Sequence, residues 1–379
     1  MNIFFWIVYY IKCGLNIAFS YVLNFFRKVE NTVPKTKASK TKIHDHLYLV
    51  KLSGTYYNMG VKYGEMMKDI IHNDTAKILK FITDNQDIFL KKVNPIIKNE
   101  MKTNDILEAI YIMYTRCVYF IPDEINDYYK GVAKGSQIEF KKIIQTNFFF
   151  ELMESHCILY TNKSKKGFLC LRTLDYGCPV LTQNIVVFAP EKKNKYLMLG
   201  HCFGLAAAFT MVSEKGLVLG ESYYDYNLGK DPRKGIPFYI LFHKICAEAN
   251  NLKEAESILE KAKRMGNLHL AISSIKEEKA KIYKYSYSNL ETDLEINENQ
   301  KKNVIYSVTP NEKRRFEKYK DKFTTAEEAI SNMLPMVKSG EVHTMIYFNN
   351  YIYVSVTSTY IQSYNNNFCK LKIEDLFKD

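Results

Sequence analysis

No Cys-x-x-Cys pair occurs among the eight cysteines, at 13, 117, 157, 170, 178, 202, 246 and 369. That absence argues against a zinc ribbon and a thioredoxin-like redox motif, and nothing in the chain calls for a metal or a cofactor. The cysteine spacing is not that of a small stapled scaffold either, so most are expected as buried thiols. A single basic stripe is missing too. The formal charge is +12, from 53 Lys and Arg against 41 Asp and Glu, yet the lysines are spread along the length. Their densest groups, Lys163/Lys165/Lys166, Lys192/Lys193/Lys195 and Lys313/Arg314/Arg315, read as solvated loops, which argues against nucleic acid as a partner. No internal repeat is evident, and there is little sign of a parallel βαβ repeat.

What is present is a large apolar fraction: 47% of the 379 residues are hydrophobic and 25% charged, enough for a globular protein with a sizeable core. Residues 2–26 are mostly apolar and long enough for a membrane helix, which needs about 20 residues. Lys12 near the middle opposes that, at about 2.5–3.5 kcal/mol on insertion scales. There is no basic n-region and no small-residue cleavage site, which argues against a removable signal peptide. Two readings stand, a membrane anchor over 1–28 and an interfacial amphipathic helix. Arg27 and Lys28 favour a cytoplasmic C-terminal side, whereas the sequons at Asn73 and Asn162 favour a lumenal one, so orientation stays open. Localisation is expected to be membrane-associated, in an endomembrane or lysosome-like compartment.

Residues 29–45 read as a polar linker. From 46 to 156 the chain is largely helical, after a short strand at Leu47–Leu52. A helix over 53–71 carries Gly60 and Gly64 on one face, which allows close approach of a neighbour. Helical segments follow near 75–100, 104–119, 122–135 and 138–152. The character then changes. Strands are expected at 157–161, 168–174, 183–190, 195–200, 206–211 and 216–221. Two helices at 237–249 and 252–265 precede strands at 268–274 and 279–286. A polar insert spans 287–303, helices 312–322 and 324–337 follow, and a last hairpin turns at Asn349-Asn350. The order makes a layered α+β domain over 157–379.

The stretch Glu154-Ser-His-Cys-Ile-Leu-Tyr-Thr161 and Phe168-Leu-Cys-Leu-Arg-Thr-Leu-Asp-Tyr-Gly177 carries the chemistry. As a hairpin it returns Arg172 and Asp175 toward Cys157. A thiol, a guanidinium and a carboxylate at one hairpin end form a nucleophilic constellation. The bland alternatives are a buried thiol and a structural Arg172–Asp175 ion pair.

In this order of elements the chain resembles the acyl-coenzyme A:isopenicillin N acyltransferase-like autoproteolytic hydrolases. These are thiol N-terminal-nucleophile (Ntn) hydrolases of the linear-amide branch. The resemblance runs over roughly 45–360. It rests on Gly54-x5-Gly60-x3-Gly64-Glu65, Ile121-Pro-Asp-Glu, Cys157, Arg172-Thr-Leu-Asp175, Val212-Ser-Glu-Lys-Gly-Leu217 and the paired helices from Pro237 to Leu259. It implies a four-layer αββα sandwich, a helical pro-region over 46–156, and self-cleavage between His156 and Cys157. It departs from the family in Thr173, which replaces an Asn, and in Ser222, which stands where relatives often place an oxyanion Asn. Val308-Thr-Pro-Asn311 displaces a further Asn.

A new N-terminal amine on Cys157, of pKa about 7.7–8.0, can take the thiol proton and return one to a leaving amine. Arg172, always protonated, would stabilise thiolate or orient substrate, and Asp175 would accept a hydrogen bond from the new ammonium. Candidates for oxyanion or substrate contact are Ser222, Tyr223, Asn311 and Arg315. His201-Cys202 reads as pocket wall or core. The expected activity is hydrolysis or transfer of the acyl group of an N-acyl amide, with a lipophilic acyl amine, amino acid or small peptide as substrate. The alternatives are a phospholipase-B-like lipid hydrolase and a non-catalytic membrane-tethered protein that keeps the fold.

Overall fold

The computed structural model describes residues 29–31, 40–153, 157–205, 210–223, 233–297, 303–308 and 310–378. The expected anchor over 1–28 and the residue His156 lie outside them. Among the described residues no helix is long and apolar enough to cross a membrane.

Two large sheets organise the chain. The nine-stranded sheet runs β12 (Leu290–Ile296), β11 (Lys279–Ser286), β10 (Asn267–Ser274), β9 (Leu217–Tyr223), β8 (Thr210–Ser213), β7 (Tyr196–His201), β6 (Gln183–Pro190), β3 (Leu47–Gly54), β2 (Thr41–His44). The seven-stranded sheet runs β1 (Val29–Asn31), β16 (Phe368–Lys372), β15 (Tyr351–Val356), β14 (His343–Phe348), β5 (Gly167–Leu174), β4 (Leu159–Ser164), β13 (Val304–Ser307). Pairing is antiparallel except for β3 with β6 and β1 with β16.

Side-chain alternation stacks the layers. Leu47, Leu49, Ile185 and Val187 of the first sheet meet Leu159, Met345, Ile352 and Val354 of the second in one buried cluster. The alternate residues Val50, Leu52, Val186 and Phe188 turn to the opposite face, under the helices of the first half of the chain. On the far side of the second sheet Ile158, Leu169, Leu171 and Ile346 pack against Phe316, Ala326, Ile330 and Met333. Helices, sheet, sheet and helices follow in that order. Strands covered on both faces read as unbroken apolar runs, as Ile185-Val-Val-Phe188 does.

The strand expected at Leu47–Leu52 is β3, which is bonded between β2 and β6, next to the edge of the nine-stranded sheet. Two expectations need correction. The helices expected at 53–71 and near 75–100 begin as one helix, Tyr56–Asp84, which passes unbroken through 72–75. The polar insert at 287–303 holds β12, whose Glu291, Asp293 and Glu295 alternate with Leu290, Leu294 and Ile296. β12 is an edge strand, and charges on an edge are how sheets avoid further pairing, so its polarity masked it. The 159–174 hairpin turns tightly at Lys165-Lys166, with Gly167 at φ +139°.

Gly60 and Gly64 do serve close approach. They meet Gly131 and Gly135 of the Asp123–Ser136 helix, and a Cβ on Gly60 would stand 2.3 Å from the Tyr128 carbonyl oxygen. A Cβ on Gly135 would stand 2.1 Å from that of Val61. By helix propensity alone Gly→Ala stabilises by about 1 kcal/mol. Backbone against backbone cannot yield, so overpacking sets the sign instead. Gly60→Ala and Gly135→Ala should each destabilise the protein by about 3 kcal/mol or more in denaturant unfolding. A stabilised variant would contradict this packing.

Candidate active site

Cys157 sits two residues before β4 and is 1% exposed. The β4–β5 register sets Arg172 opposite Leu159, so the Arg172 side chain lies on the thiol's face of the sheet. Its Nη2 donates to Cys157 Sγ at 3.3 Å. The same nitrogen forms a charge-assisted contact with Glu221 Oε1, Nε donates to the Glu221 carbonyl at 3.2 Å, and Nη1 donates to His343 Nε2 at 3.1 Å. Both members of the ion pair are buried, Arg172 at 2% and Glu221 at 3% exposed. Burial pushes the Glu221 carboxyl up, against the pull of the guanidinium beside it. Arg172 cannot give up its charge.

The bland alternative, a structural Arg172–Asp175 ion pair, is not met: the carboxylate bonded to Arg172 is that of Glu221. Asp175 is held elsewhere: Oδ1 accepts from the backbone N–H groups of Gly340 and Glu341, each at 2.6 Å, and Oδ2 accepts from Ser339. Burial raises its carboxyl. Among the described residues Thr173 links Asp175 by hydrogen bonds to the thiol's neighbourhood: its Oγ1 lies 3.4 Å from Oδ2 and accepts the Ile158 N–H at 2.9 Å. It makes no hydrogen bond to Cys157 in the uncut chain.

Ser222 Oγ donates to the carbonyl of Cys157 itself at 2.8 Å, so its hydroxyl is engaged with the nucleophile's own backbone. Tyr223 lines a cavity of about 220 Å³ that Phe150, Met153, Tyr176, Glu221 and Phe238 also line. This cavity abuts the thiol's ion pair through Glu221. A larger one, about 640 Å³, lies between β10, β12 and β13, where His269 Nδ1 meets Ser307 Oγ at 2.7 Å. Of these two, the smaller one touches the Cys157 cluster, through Glu221, and a slot of about 20 Å³ beside Leu159 and Gly220 is lined by Arg172. Asn311 and Arg315 fall on the Pro310–Glu317 helix, with side chains outside the described residues. Among the described residues no group of three His, Cys, Asp or Glu is placed to hold a metal.

His201 is fully buried, in a cluster of three rings with Phe150 and Phe203, whose centroids lie 5.2 and 5.4 Å from its own and 5.9 Å from each other. It is bonded to Gln183 and to Tyr176 Oη. His343 Nδ1 meets Gln183 Oε1 at 3.0 Å, so a buried polar chain runs from Arg172 to Tyr176. Burial pushes His201 down to about 3 and holds His343 well below the usual range, where the nearby guanidinium adds to the effect. Cys202 and Cys170 are core, and burial pushes the Cys170 thiol up to about 12.

Glu221, His343, Gln183 and Tyr176 escaped the sequence reading. Glu221 stands next to Ser222 and Tyr176 next to Asp175, which is the only local signal for either. His343 comes to Arg172 through the β14–β5 pairing, across 171 residues.

No known family profile matches the chain. It is similar to Protein dcd1A of Dictyostelium discoideum, 22% identical over 381 residues, with 87% of this chain and 85% of that protein covered. Among solved structures it is similar to penicillin V acylase from Agrobacterium tumefaciens. That match covers 58% of this chain and 87% of the other, at 13% identity and a TM-score of 0.41. A likeness at that score assigns no reaction to this chain.

Glu221→Gln removes the carboxylate charge bonded to Arg172, so more of the guanidinium's pull falls on the Cys157 sulfur. Alkylation of Cys157 by iodoacetamide at pH 7 should then quicken by roughly tenfold, while unfolding free energy falls by about 3–5 kcal/mol. Slower alkylation would contradict the pairing. Because an unfolded histidine takes its proton near pH 6.5, the neutral His201 and His343 contribute stability that is full above that pH. It is lost progressively as pH falls below it. Nitrogen-15 NMR should show both rings neutral at pH 5; protonated rings there would contradict their burial.

Proposed function

We propose that the chain is a self-processing thiol hydrolase or acyltransferase that cleaves or transfers the acyl group of an N-acyl amide. The observation that carries this reading is Cys157 Sγ 3.3 Å beneath the buried Arg172 guanidinium, beside an aromatic-lined cavity. A guanidinium at that distance favours thiolate, the nucleophilic form of cysteine. The uncut chain has only an amide nitrogen at Cys157, which is no base. Attack of the thiol on the His156 carbonyl shifts the preceding chain from nitrogen to sulfur. Water then hydrolyses that thioester and leaves Cys157 with a free α-amine.

The mature reaction repeats the chemistry on a substrate. The α-amine takes the thiol proton, and sulfur adds to the amide carbonyl. The C–N bond breaks as the amine's proton passes to the leaving nitrogen. Water or a second amine then resolves the acyl thioester. The aromatic lining, Phe150, Tyr176, Tyr223 and Phe238, favours an apolar acyl group. An anchor over 1–28 would keep the site near lipid, and an ester-cleaving, phospholipase-B-like variant uses the same thioester.

Denaturing gels and N-terminal sequencing of the expressed protein should reveal a fragment that begins at Cys157. The two pieces should still elute together under native conditions, because β3 stays bonded between β2 and β6. Cys157→Ala should stay whole and inactive. Amide turnover by that variant would remove the thiol from the mechanism.

A further inference from the structure

The larger cavity, about 640 Å³, lies where the two sheets end. β13 is the last strand of the seven-stranded sheet, β12 is the last of the nine-stranded one, and β10 lies two strands in from β12. These strands contribute Ser307, Asp293 and His269 to the lining. Ser307 Oγ lies 2.7 Å from His269 Nδ1, and Asp293 Oδ2 lies 3.5 Å from Nε2 of the same ring. A hydroxyl, an imidazole and a carboxylate in that series have the order of nucleophile, base and orienting acid. The volume falls in the range of small-molecule sites, about 300–1,000 Å³. Ser307 and His269 are buried, whereas Asn303, Lys313 and Glu317 on the same lining are exposed, so the cavity runs from solvent down to the pair.

The charges around the ring set the direction of its proton. Burial pushes His269 down to about 4, with the Asp293 carboxylate opposing and the Lys284 ammonium adding to it, so the ring is neutral at pH 7. A neutral imidazole carries one N–H. The nitrogen that faces a carboxylate keeps it, because an N–H is attracted there and a lone pair repelled. Lys284 Nζ, 3.2 Å from Asp293 Oδ1, holds that carboxylate in place. Nδ1 therefore presents its lone pair to Ser307, and the hydroxyl donates to it. We propose that Ser307, His269 and Asp293 form a second acyl-transfer site, a serine esterase with its own nucleophile. His269 Nδ1 takes the Ser307 proton as Oγ adds to the ester carbonyl. The C–O bond breaks, and the same proton passes from Nδ1 to the leaving alkoxide. Water, deprotonated by His269 in its turn, cleaves the acyl-serine and restores the hydroxyl. Ser307 and His269 are catalytic residues, and Asp293 is a positioning residue. An un-ionised hydroxyl is a weaker nucleophile than a thiolate, so it takes esters, whose carbonyl is more electrophilic than that of an amide. Among the described residues the lining sets Asp293, Glu317 and Asp321 against Lys313 and Lys320, an excess of carboxylate that favours an uncharged ester over an anionic one.

The test uses the full chain carrying Cys157→Ala, so that no thiolate can turn over the ester. A fluorophosphonate probe should label it, with the adduct mapped to Ser307 by peptide mass spectrometry. The same protein should hydrolyse p-nitrophenyl butyrate, and adding Ser307→Ala should lower kcat by at least about 10²-fold. Asp293→Asn should lower kcat by about tenfold with KM within about twofold; a raised KM at unchanged kcat removes Asp293 from its role. Nitrogen-15 NMR of the wild-type protein should find His269 neutral at pH 7 with its proton on Nε2. A proton on Nδ1 overturns the proposal even if Ser307→Ala fails to fold. So does a probe adduct on another residue or on none, and so does ester turnover that Ser307→Ala leaves unchanged. Because the thiol is absent from this protein, failure here leaves the Cys157 reading standing, and failure of that reading leaves this one.

Discussion

One cation buried between the sheets decides the arrangement around it. Arg172 is always charged, is 2% exposed, and spends its donors on Cys157, Glu221 and His343. A charge in such a place is tolerated only when it is paired and hydrogen-bonded. Glu221 supplies the counter-charge, and the thiol and a neutral imidazole take the remaining directions. The same requirement runs outward. His343 can accept from Arg172 only while it is neutral, and its other nitrogen must then find an acceptor, which Gln183 provides. The order of the polar interior follows from the one residue that cannot change its protonation.

The two sheets bring these groups together from distant parts of the chain. Arg172 comes from β5 and His343 from its neighbour β14, while Glu221 reaches across from β9 of the facing sheet. Residues before the proposed cut are woven into the same construction: β3 lies within the nine-stranded sheet, and Phe150 stacks on His201. Cleavage before Cys157 would thus free an end without removing a layer. That the thiol is 1% exposed fits a chain whose preceding segment, represented by Met153, still lines the cavity.

What could be read from the sequence is what is local. The hairpin that joins Cys157 to Arg172 spans fifteen residues, with alternation and a turn to mark it, and the Gly60/Gly64 face announced its tight neighbour. Asp175 was legible because it is three residues from Arg172 on the same hairpin; the carboxylate bonded to Arg172, Glu221, is 49 residues away and joins through the stacking of sheets. No spacing rule encodes such a meeting. β12 hid behind its charges, and the Tyr56–Asp84 helix ran through a polar stretch that looked like a break. Tyr176 was passed over because a tyrosine beside a candidate aspartate carries no signal until its hydroxyl's partner is known.

The central claim is that the sulfur beneath Arg172 carries the acyl group. Rapid acid quench of the processed protein during turnover of a slow N-acyl amide substrate, followed by intact-mass and peptide mass spectrometry, tests it most directly. The account predicts a transient mass increase equal to the acyl group, mapped to the peptide that begins at Cys157 and released by hydroxylamine. An adduct on any other residue, or turnover with no adduct at all, would contradict it.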